Sequence, residues 1–262
     1  PLLSATLDTI SMPNNIVVVG NTAYVVNGDG LTIVDITDLK APQITGDIET
    51  PGFARGVAVS GNTAFVSDEA AGVHAIDISN PKSMKITSTI VTSGKAYGLM
   101  ASGNRVYVAD WRGGLQIIDA GNPGSLELLG SIDTPGHAYK VTVVGETAFI
   151  ADGWKGLRLL DITNPVLPPT IGQVDTGALN AETGLMETDA VGIAMTGNLI
   201  YVADRKGGLK VVDISSPASP QILSTLTAPS IFNDVALVTT LHTWRIKILD
   251  CKWWIAVNRS IQ

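Results

Sequence analysis

"GNRVYVADWRGGLQIIDAGNP", residues Gly103–Pro123, contains two short runs of β-branched, aromatic and aliphatic residues between clusters of turn formers. Gly-Asn opens it, Trp-Arg-Gly-Gly interrupts it and Gly-Asn-Pro closes it. Neither run is long enough to show a helical period, and both end in residues that favour tight turns, so the stretch reads as two strands of a hairpin. The same pair of runs returns along the chain. "GLTIVDITD", "GVHAIDISNP", "GLQIIDAGNP", "GLRLLDITNP" and "GLKVVDISSP" set one aspartate at Asp35, Asp77, Asp119, Asp161 and Asp213, at spacings of 42, 42, 42 and 52. The run before it, "GNTAYVV" in its first copy, starts at Gly20, Gly61, Gly103, Gly145 and Gly197 and keeps that beat within one residue.

Each repeat has room for four strands. Strand A is a small-residue run such as Gly56–Ser60, strand B follows a Gly-Asn turn at Thr63–Asp68, strand C is typified by Gly114–Asp119, and strand D by Leu126–Ile132. Four short strands in ~40 residues, repeated, predict the blades of a β-propeller. Strand C is apolar on both faces, as a strand covered on each side by another blade must be. Strand D motifs follow all five repeats, and Leu2–Ile10 reads as an orphan strand D, while Phe232–Val238 begins a sixth strand A. The expectation is all-β: a six-bladed β-propeller of four-stranded antiparallel blades, closed by the N-terminal strand. Its blades are placed at 13–50, 52–92, 94–134, 136–176, 188–227 and 229–262, the last completed by strand 2–10.

After Val238 the beat fails, and "HTWRIKILDCKWWIAV", His242–Val257, carries three of the five tryptophans and the single cysteine, Cys251. Residues 1–238 are therefore read as the propeller and 239–262 as an atypical tail. Two readings of the tail stay open. One is a divergent terminal cap; the other is a frame-slipped sixth repeat, since a one-nucleotide shift with permitted codons restores "DNTAYVADKDSGLQVVDSRKP". Trp244, Trp253, Trp254 and Cys251 carry no functional argument on either reading.

The net charge is −7 and no more than two Lys or Arg are adjacent. A nucleic-acid binder neutralises ~6–10 phosphates, so no nucleic-acid partner is expected. No apolar run approaches the roughly 18–20 residues that span a bilayer, and there is no basic-then-apolar leader, so no membrane insertion is expected. The chain starts at Pro1, which is read as a processed form or a piece of a larger exported chain. A single cysteine makes neither a disulfide framework nor a cysteine zinc site. Searches for phosphate loops, Gly-x-Ser-x-Gly, His-Glu-x-x-His and Cys-x-x-Cys find nothing, and no cofactor or metal is expected.

The strand C motif, seen as "LTIVD", "LQIID", "LRLLD" and "LKVVD" with "VHAID" as its loosest copy, resembles the LVIVD family of bacterial and archaeal repeats. The resemblance covers about Leu2–Val238. It implies a β-propeller and an extracellular, cell-surface or periplasmic setting, and it carries no common activity.

In a propeller the D–A and B–C connections share one side and the A–B and C–D connections the other. The A–B turns and C–D corners are nearly constant, whereas the D–A and B–C segments vary, as a binding side does on a constant scaffold. The lead into strand A contributes Phe53, Lys95, His137 and Asp189, with Arg55, Tyr97 and Tyr139 two positions on. The B–C tips add Glu69, Trp111 with Arg112, Trp154 with Lys155, and Arg205 with Lys206. An insertion of about ten residues within Thr176–Ala190 falls on the same side. Trp111 and Trp154 suit stacking on sugar rings or on a partner's aromatics, or they cover blade edges. Asp68, Asp110, Asp152 and Asp204, with Asn27 in the first repeat, read as turn acceptors for backbone N–H groups rather than as a calcium ring. Asp35 and its repeats read the same way, and His74 as an outer-strand residue. The leading expectation is a non-catalytic binding or scaffold module for protein or glycan. Alternatives are a hydrolase or lyase using His137, Asp189, Lys95 and the tyrosines at the mouth of a central channel, or an architectural spacer of a surface protein.

Overall fold

The computed structural model describes residues 11, 13–177, 188–227, 231–240, 243–248 and 254–257, the side chains beyond 237 excepted. It divides into two compact units, Pro1–Ile132 and Asp133–Gln262. In the first unit, β1 (Pro13–Val19), β2 (Thr22–Asn27), β3 (Gly30–Asp35) and β4 (Gln43–Glu49) form one antiparallel sheet in chain order. The second sheet is β5 (Gly56–Ser60), β6 (Thr63–Ser67), β7 (Val73–Asp77) and β8 (Lys85–Ile90); the third is β9 (Gly98–Ser102), β10 (Arg105–Ala109), β11 (Leu115–Asp119) and β12 (Glu127–Ile132). The second unit opens with β13 (Lys140–Val144), β14 (Thr147–Ala151), β15 (Leu157–Asp161) and β16 (Thr170–Val174). There follow β17 (Gly192–Thr196), β18 (Leu199–Asp204), β19 (Gly208–Asp213) and β20 (Gln221–Leu226), and then the shorter sheet β21 (Val235–Thr240), β22 (Thr243–Ile248) and β23 (Trp254–Val257).

The A–D strand assignment holds in all five full sheets. The number of complete four-stranded blades is corrected, from six to five. From Thr239 the Gly-Asn and Leu-x-Ile-x-Asp markers are missing, and the alternation in "TWRIKI" still builds β22, but the sheet has three strands among the described residues. The expected closing strand, residues 2–10, lies outside the described residues.

Within each unit, successive sheets pack face to face through their middle strands. Val26, Ile33, Val57, Val66 and Ile76 form the core between the first two sheets, and Phe65, Val73, Val106, Val108 and Ile118 that between the next two. In the second unit Phe149, Leu159, Ile193, Ile200 and Val202 fill the first such layer, and Tyr201, Leu209, Phe232 and Val235 the second. This is why strand C reads as continuously apolar: both its faces are covered. Strand D is the outer one, and every residue of β20 is exposed. Between strands C and D the register slips once in every full sheet, at equivalent positions such as Ala75/Ile76 and Ile117/Ile118. The repeat thus contains a conserved-in-place β-bulge, which adds twist to the outer edge.

One end of each sheet is closed by turn chemistry. Asp77 Oδ1 accepts from Ser79 N (2.9 Å), and Asp35, Asp119, Asp161 and Asp213 accept in the same way from the residue two positions on. At Asp35, Asp161 and Asp213 the neighbouring hydroxyl and then the backbone amide hold the carboxyl below its ordinary range, as the amide of Ser79 and then its hydroxyl do at Asp77. The amide between the two residues binds the A–B turn, as in Ile78 N to Asn62 O (2.9 Å). The Asn-Pro corner then docks on the preceding sheet, where Thr87 and Ser88 hydroxyls donate to the Pro123 carbonyl at 3.0 and 2.7 Å. These residues are structural, as expected.

Two glycines in each repeat test different constraints. Gly103 has φ +58° with open space around it, whereas Gly72 has φ +86° and a Cβ there would overlap the Ile90 carbonyl oxygen. Gly103→Ala is expected to cost about 1–2 kcal/mol, the left-handed penalty alone. Gly72→Ala should cost more than about 3 kcal/mol, because strand D must also move. Urea denaturation of the two variants against the parent checks the ranking.

Candidate functional site

The opposite end of each sheet is organised by a buried carboxylate. Asp68, Asp110, Asp152 and Asp204 end strand B and have no solvent exposure. In three blades this carboxylate reaches across to the D–A connection that precedes its own strand A. Asp68 accepts from Thr50 Oγ1 (3.0 Å) and Gly52 N (2.7 Å), Asp110 from Thr92 Oγ1 (2.5 Å) and Gly94 N (2.7 Å), and Asp152 from Thr134 Oγ1 (2.6 Å) and Gly136 N (3.1 Å). The Thr-x-Gly sequence is required because the connection lies directly on the B–C tip: a Cβ at Gly94 or Gly136 would overlap the aspartate's own carbonyl oxygen. The expected turn-acceptor role is thus right in kind, but the amide accepted lies sixteen residues upstream. Only Asn27 is local, accepting from Asp29 N and Gly30 N.

Six residues after each aspartate, strand C turns a polar side chain toward it. His74 is corrected from an outer-strand residue to a buried member of β7: its Nε2 lies 2.9 Å from Asp68 Oδ2 and its Nδ1 2.8 Å from Thr89 Oγ1. A carboxylate only accepts, so Nε2 donates to Asp68, while the Thr89 hydroxyl can pair with Nδ1 as donor or acceptor. Arg158 Nε stands 3.4 Å from Asp152 Oδ2, and Gln116 Nε2 donates to Ser93 Oγ (3.1 Å) and Gly113 O (2.7 Å). Burial pushes Asp110 and Asp152 up despite their donors. Sequence reasoning missed this network, although the Asp-x5-[His/Gln/Arg/Lys] spacing was there to be read.

The fifth blade departs from the pattern. The insertion separates Thr176 from the next residues, and Thr188 occupies the place of Gly52, Gly94 and Gly136. Both Asp204 oxygens, the Thr176 hydroxyl and the Thr188 hydroxyl are buried without a hydrogen-bond partner. Burial pushes Asp204 up to about 6; the Thr176 hydroxyl and then Lys210 lower it, and Asp189 and Asp175 raise it.

On this scaffold the variable side chains gather. In the first unit, the Arg55 guanidinium lies 4.5 Å from the Phe53 ring centre and 5.0 Å from that of Tyr97, and its Nε bonds Glu69 Oε1 at 2.7 Å. Lys95 Nζ reaches the other Glu69 oxygen at 3.2 Å and lies 5.7 Å from the Trp111 ring, which Arg112 covers at 4.6 Å. Burial raises Glu69, but the hydrogen bonds and charges of Arg55 and Lys95 win and hold it below its ordinary value. Six expected residues, Phe53, Arg55, Lys95, Tyr97, Trp111 and Arg112, thus form one chain of contacts with Glu69 as its hub.

In the second unit, His137 meets Tyr139 edge-on at 6.4 Å, Arg205 lies 5.7 Å from the Tyr139 ring, and Asp189 sits 3.7 Å from Arg205 Nε. Trp154 and Lys155 form a pair at 4.3 Å. Lys140 and Asp234 pair at 2.6 Å, a contact that the reading of strand A leads had not linked. Among the described residues no group of three or more His, Cys, Asp or Glu is arranged to hold a metal.

Backbone strain marks three of the tips. Glu69, Trp111 and Arg205 have φ of 43°, 50° and 31°, and the equivalent residue in the fourth blade is Gly153 at 55°. Trp154 is therefore one position beyond Trp111 in the repeat, and the two are not equivalent. The left-handed conformation lets the tip bridge to the next strand A lead, as Glu69 does with Ala96, Gly153 with Ala190 and Arg205 with Phe232.

A profile of the LVIVD repeat matches five segments: residues 12–50, 51–92, 93–134, 135–176 and 188–227. No curated protein matches the chain. Among solved structures the chain is similar to BamB from Moraxella catarrhalis, at 15% identity over 97% of this chain and 73% of that one, with a TM-score of 0.65. It is also similar to the Cps50 (Swd1) β-propeller domain of Myceliophteria thermophila, at 12% identity over 88% and 77% with a TM-score of 0.67. The computationally designed Ika8 protein matches at 13% identity over 89% and 67%, also with a TM-score of 0.67. At these identities the likeness speaks for the β-propeller fold alone.

The same substitution at two equivalent aspartates should have opposite signs in EDTA-containing buffer. Asp68→Asn weakens an acceptor of three donors and should destabilise by about 2–3 kcal/mol. Asp204→Asn removes a charge whose folded-state pKa, about 6, exceeds its unfolded value. The folded form therefore takes up a proton between roughly pH 4 and 6, and stability falls as pH rises through that window. Asp204→Asn should gain on the order of 3 kcal/mol at pH 7.5, shrinking toward pH 4, as measured by urea unfolding at both pH values.

Proposed function

The chain belongs to the LVIVD repeat family, and from that premise we propose that it is a non-catalytic binding or scaffold module that takes a protein or glycan through its D–A and B–C connections. The observation that carries the reading is the strained backbone at Trp111, Glu69 and Arg205. A non-glycine residue in the left-handed region costs about 1–2 kcal/mol, and Gly153 occupies that position in the fourth blade. Large charged and aromatic side chains at the other three tips are retained against that cost, as happens where the side chain has work to do at a binding surface. Within the first unit Phe53, Tyr97 and Trp111 are rigid rings with cations on their faces, the composition of binding hot spots. Trp154 with Lys155, and His137 with Tyr139, Asp189 and Arg205, supply the same chemistry from the second unit. Lys95 and Asp189, the charged groups of the catalytic alternative, are engaged with Glu69 and Arg205. The family's setting favours an extracellular, cell-surface or periplasmic place, as one module of a larger exported chain.

We further propose that the propeller has six blades, with residues 2–10 completing the sheet β21–β23. Two features support it. That sheet is one strand short among the described residues, and β1 leaves Ile16 and Val18 more than half exposed, apolar surface of the kind that a neighbouring blade covers elsewhere.

Two measurements test these readings. Trp111→Gly should leave the urea midpoint unchanged or raised, since the strain is relieved, while binding on glycan arrays and in pull-downs falls at least tenfold. Unchanged binding in a Trp111→Ala/Trp154→Ala double variant would remove the aromatic surface from the proposal. Deleting residues 1–10 should speed amide hydrogen exchange in β21–β23 at least tenfold; unaltered exchange there would rule out closure by that strand.

A further inference from the structure

The contacts around Glu69 in the first unit leave a positive surplus, and that surplus lies to one side. Arg55, Lys95 and Arg112 are three cations against one carboxylate, in a chain whose net charge is −7. The aspartates that end the same two B strands, Asp68 and Asp110, are fully buried and engaged by their own D–A connections. Arg55 is satisfied, since its Nε and Nη2 both donate to Glu69 Oε1. Lys95 is not: it gives one N–H to Glu69 Oε2 at 3.2 Å, and an ammonium has three. Arg112 is exposed, lies 4.6 Å from the centre of the Trp111 ring, and pairs with no carboxylate among the described residues. At the other side of the cluster Phe53 is 43% exposed, and its ring rests on Gly28, which the exposed Asp29 follows. The cluster therefore runs from an acid and an open apolar ring to two cations that still have N–H groups to donate.

We propose that this cluster binds an acidic segment of a partner protein, with carboxylates on Arg112 and Lys95 and an adjacent apolar side chain against Phe53. This rests on the binding-module reading above and narrows its ligand. The rings decide between a peptide and a glycan. A sugar takes an aromatic residue by laying its C–H face on the ring, but here cations hold the ring faces. Arg55 lies 4.5 Å from the Phe53 centre and 5.0 Å from that of Tyr97, while Lys95 and Arg112 lie 5.7 and 4.6 Å from that of Trp111. The rings back the cations, and the recognising groups are N–H donors. A guanidinium stacked on an indole keeps its in-plane fork for a carboxylate, which it takes bidentate. An anionic glycan would meet those donors too, but it has no aliphatic or aromatic side chain to cover Phe53, whereas a protein segment brings both groups. Asp29 sets the orientation, because it repels a carboxylate from the Phe53 side.

The test pans a random twelve-residue peptide library on the full chain and measures the selected peptides by fluorescence anisotropy. They should carry at least two Asp or Glu beside a Leu, Ile or Phe. A Lys95→Gln/Arg112→Gln variant should keep the parent's urea midpoint and bind them at least about tenfold more weakly. Phe53→Ala should weaken them about threefold and leave the salt dependence as it is. Lys82→Gln/Lys85→Gln removes the same charge from the opposite end of the second sheet. That variant should bind within about twofold of the parent, which separates the local site from total charge. An empty selection, neutral or basic winners, or acidic winners that the Lys95→Gln/Arg112→Gln variant still holds, each overturn the proposal. Oligogalacturonate forms a separate arm. If it binds and no acidic peptide does, the cations serve an anionic glycan, so the protein partner is overturned while the binding module stands. Failure of the module itself reads differently, as binding of every probe that Trp111→Gly leaves unchanged.

Discussion

The organising constraint is a single buried carboxylate at the end of strand B in the second, third and fourth blades. Apolar packing between sheets is interchangeable among Val, Ile, Leu and Phe, and it holds the sheets without fixing how one blade is joined to the next. The aspartate does that. By accepting from a threonine hydroxyl and a glycine amide sixteen residues upstream, it pins the incoming D–A connection on its own B–C tip. The tip then bridges to the lead of the following strand A. The lie of the D–A connection on the B–C tip follows from that one acceptor. The cost of stripping a carboxylate of water is why three donors converge on Asp68.

The opposite ends of the sheets are held differently, and the contrast explains which end varies. There the Asp-x-Ser/Thr corners satisfy themselves locally, on exposed carboxylates that the neighbouring hydroxyl and amide hold low. Such a corner depends on its own few residues, so the same short motif recurs in every repeat. At the buried-aspartate end the backbone is fixed by long-range bonds, which leaves the side chains of residues 53, 55, 69, 95, 97, 111 and 112 unconstrained by turn formation. Variation there costs the fold little. In the first unit it has assembled one acid, three cations and three aromatic rings into continuous contact around Glu69.

The repeat beat and the four strands of each full blade were legible because period-two patterning and Gly-Asn or Asn-Pro turns are local signals. Strand A at Gly56–Ser60 was placed to the residue, and strand C missed only by its leading glycine in the third blade. The candidate side chains were also legible as a set, since they fall where the repeat varies. What was not legible is long-range. Nothing within a few residues of Asp68 announces Thr50 or Gly52 as its donors, and His74 looked like an interruption of a strand because its partner is a buried acid on the strand beside it. The offset between Trp111 and Trp154 was hidden by their shared neighbour type, a cation in the next position. It emerges from φ, which puts Gly153 opposite Trp111. The last sheet was read beyond its described strands for the same reason: a strand can be recognised by alternation, but its sheet depends on partners that alternation does not name.

The two departures from the repeat carry opposite physics, and both are informative. At Trp111, Glu69 and Arg205 the backbone accepts a conformation that glycine would occupy without strain, so the side chain itself must be what is kept. At Asp204 the side chain is kept without the glycine amide that its siblings use, and burial pushes its carboxyl up to about 6. A neutral repacking could remove either conflict with a single substitution, to glycine at the tips and to asparagine or a small apolar residue at Asp204. Both conflicts stand in a chain that solves the same local problem without them in its other blades, so they are departures of single positions and not of the repeat.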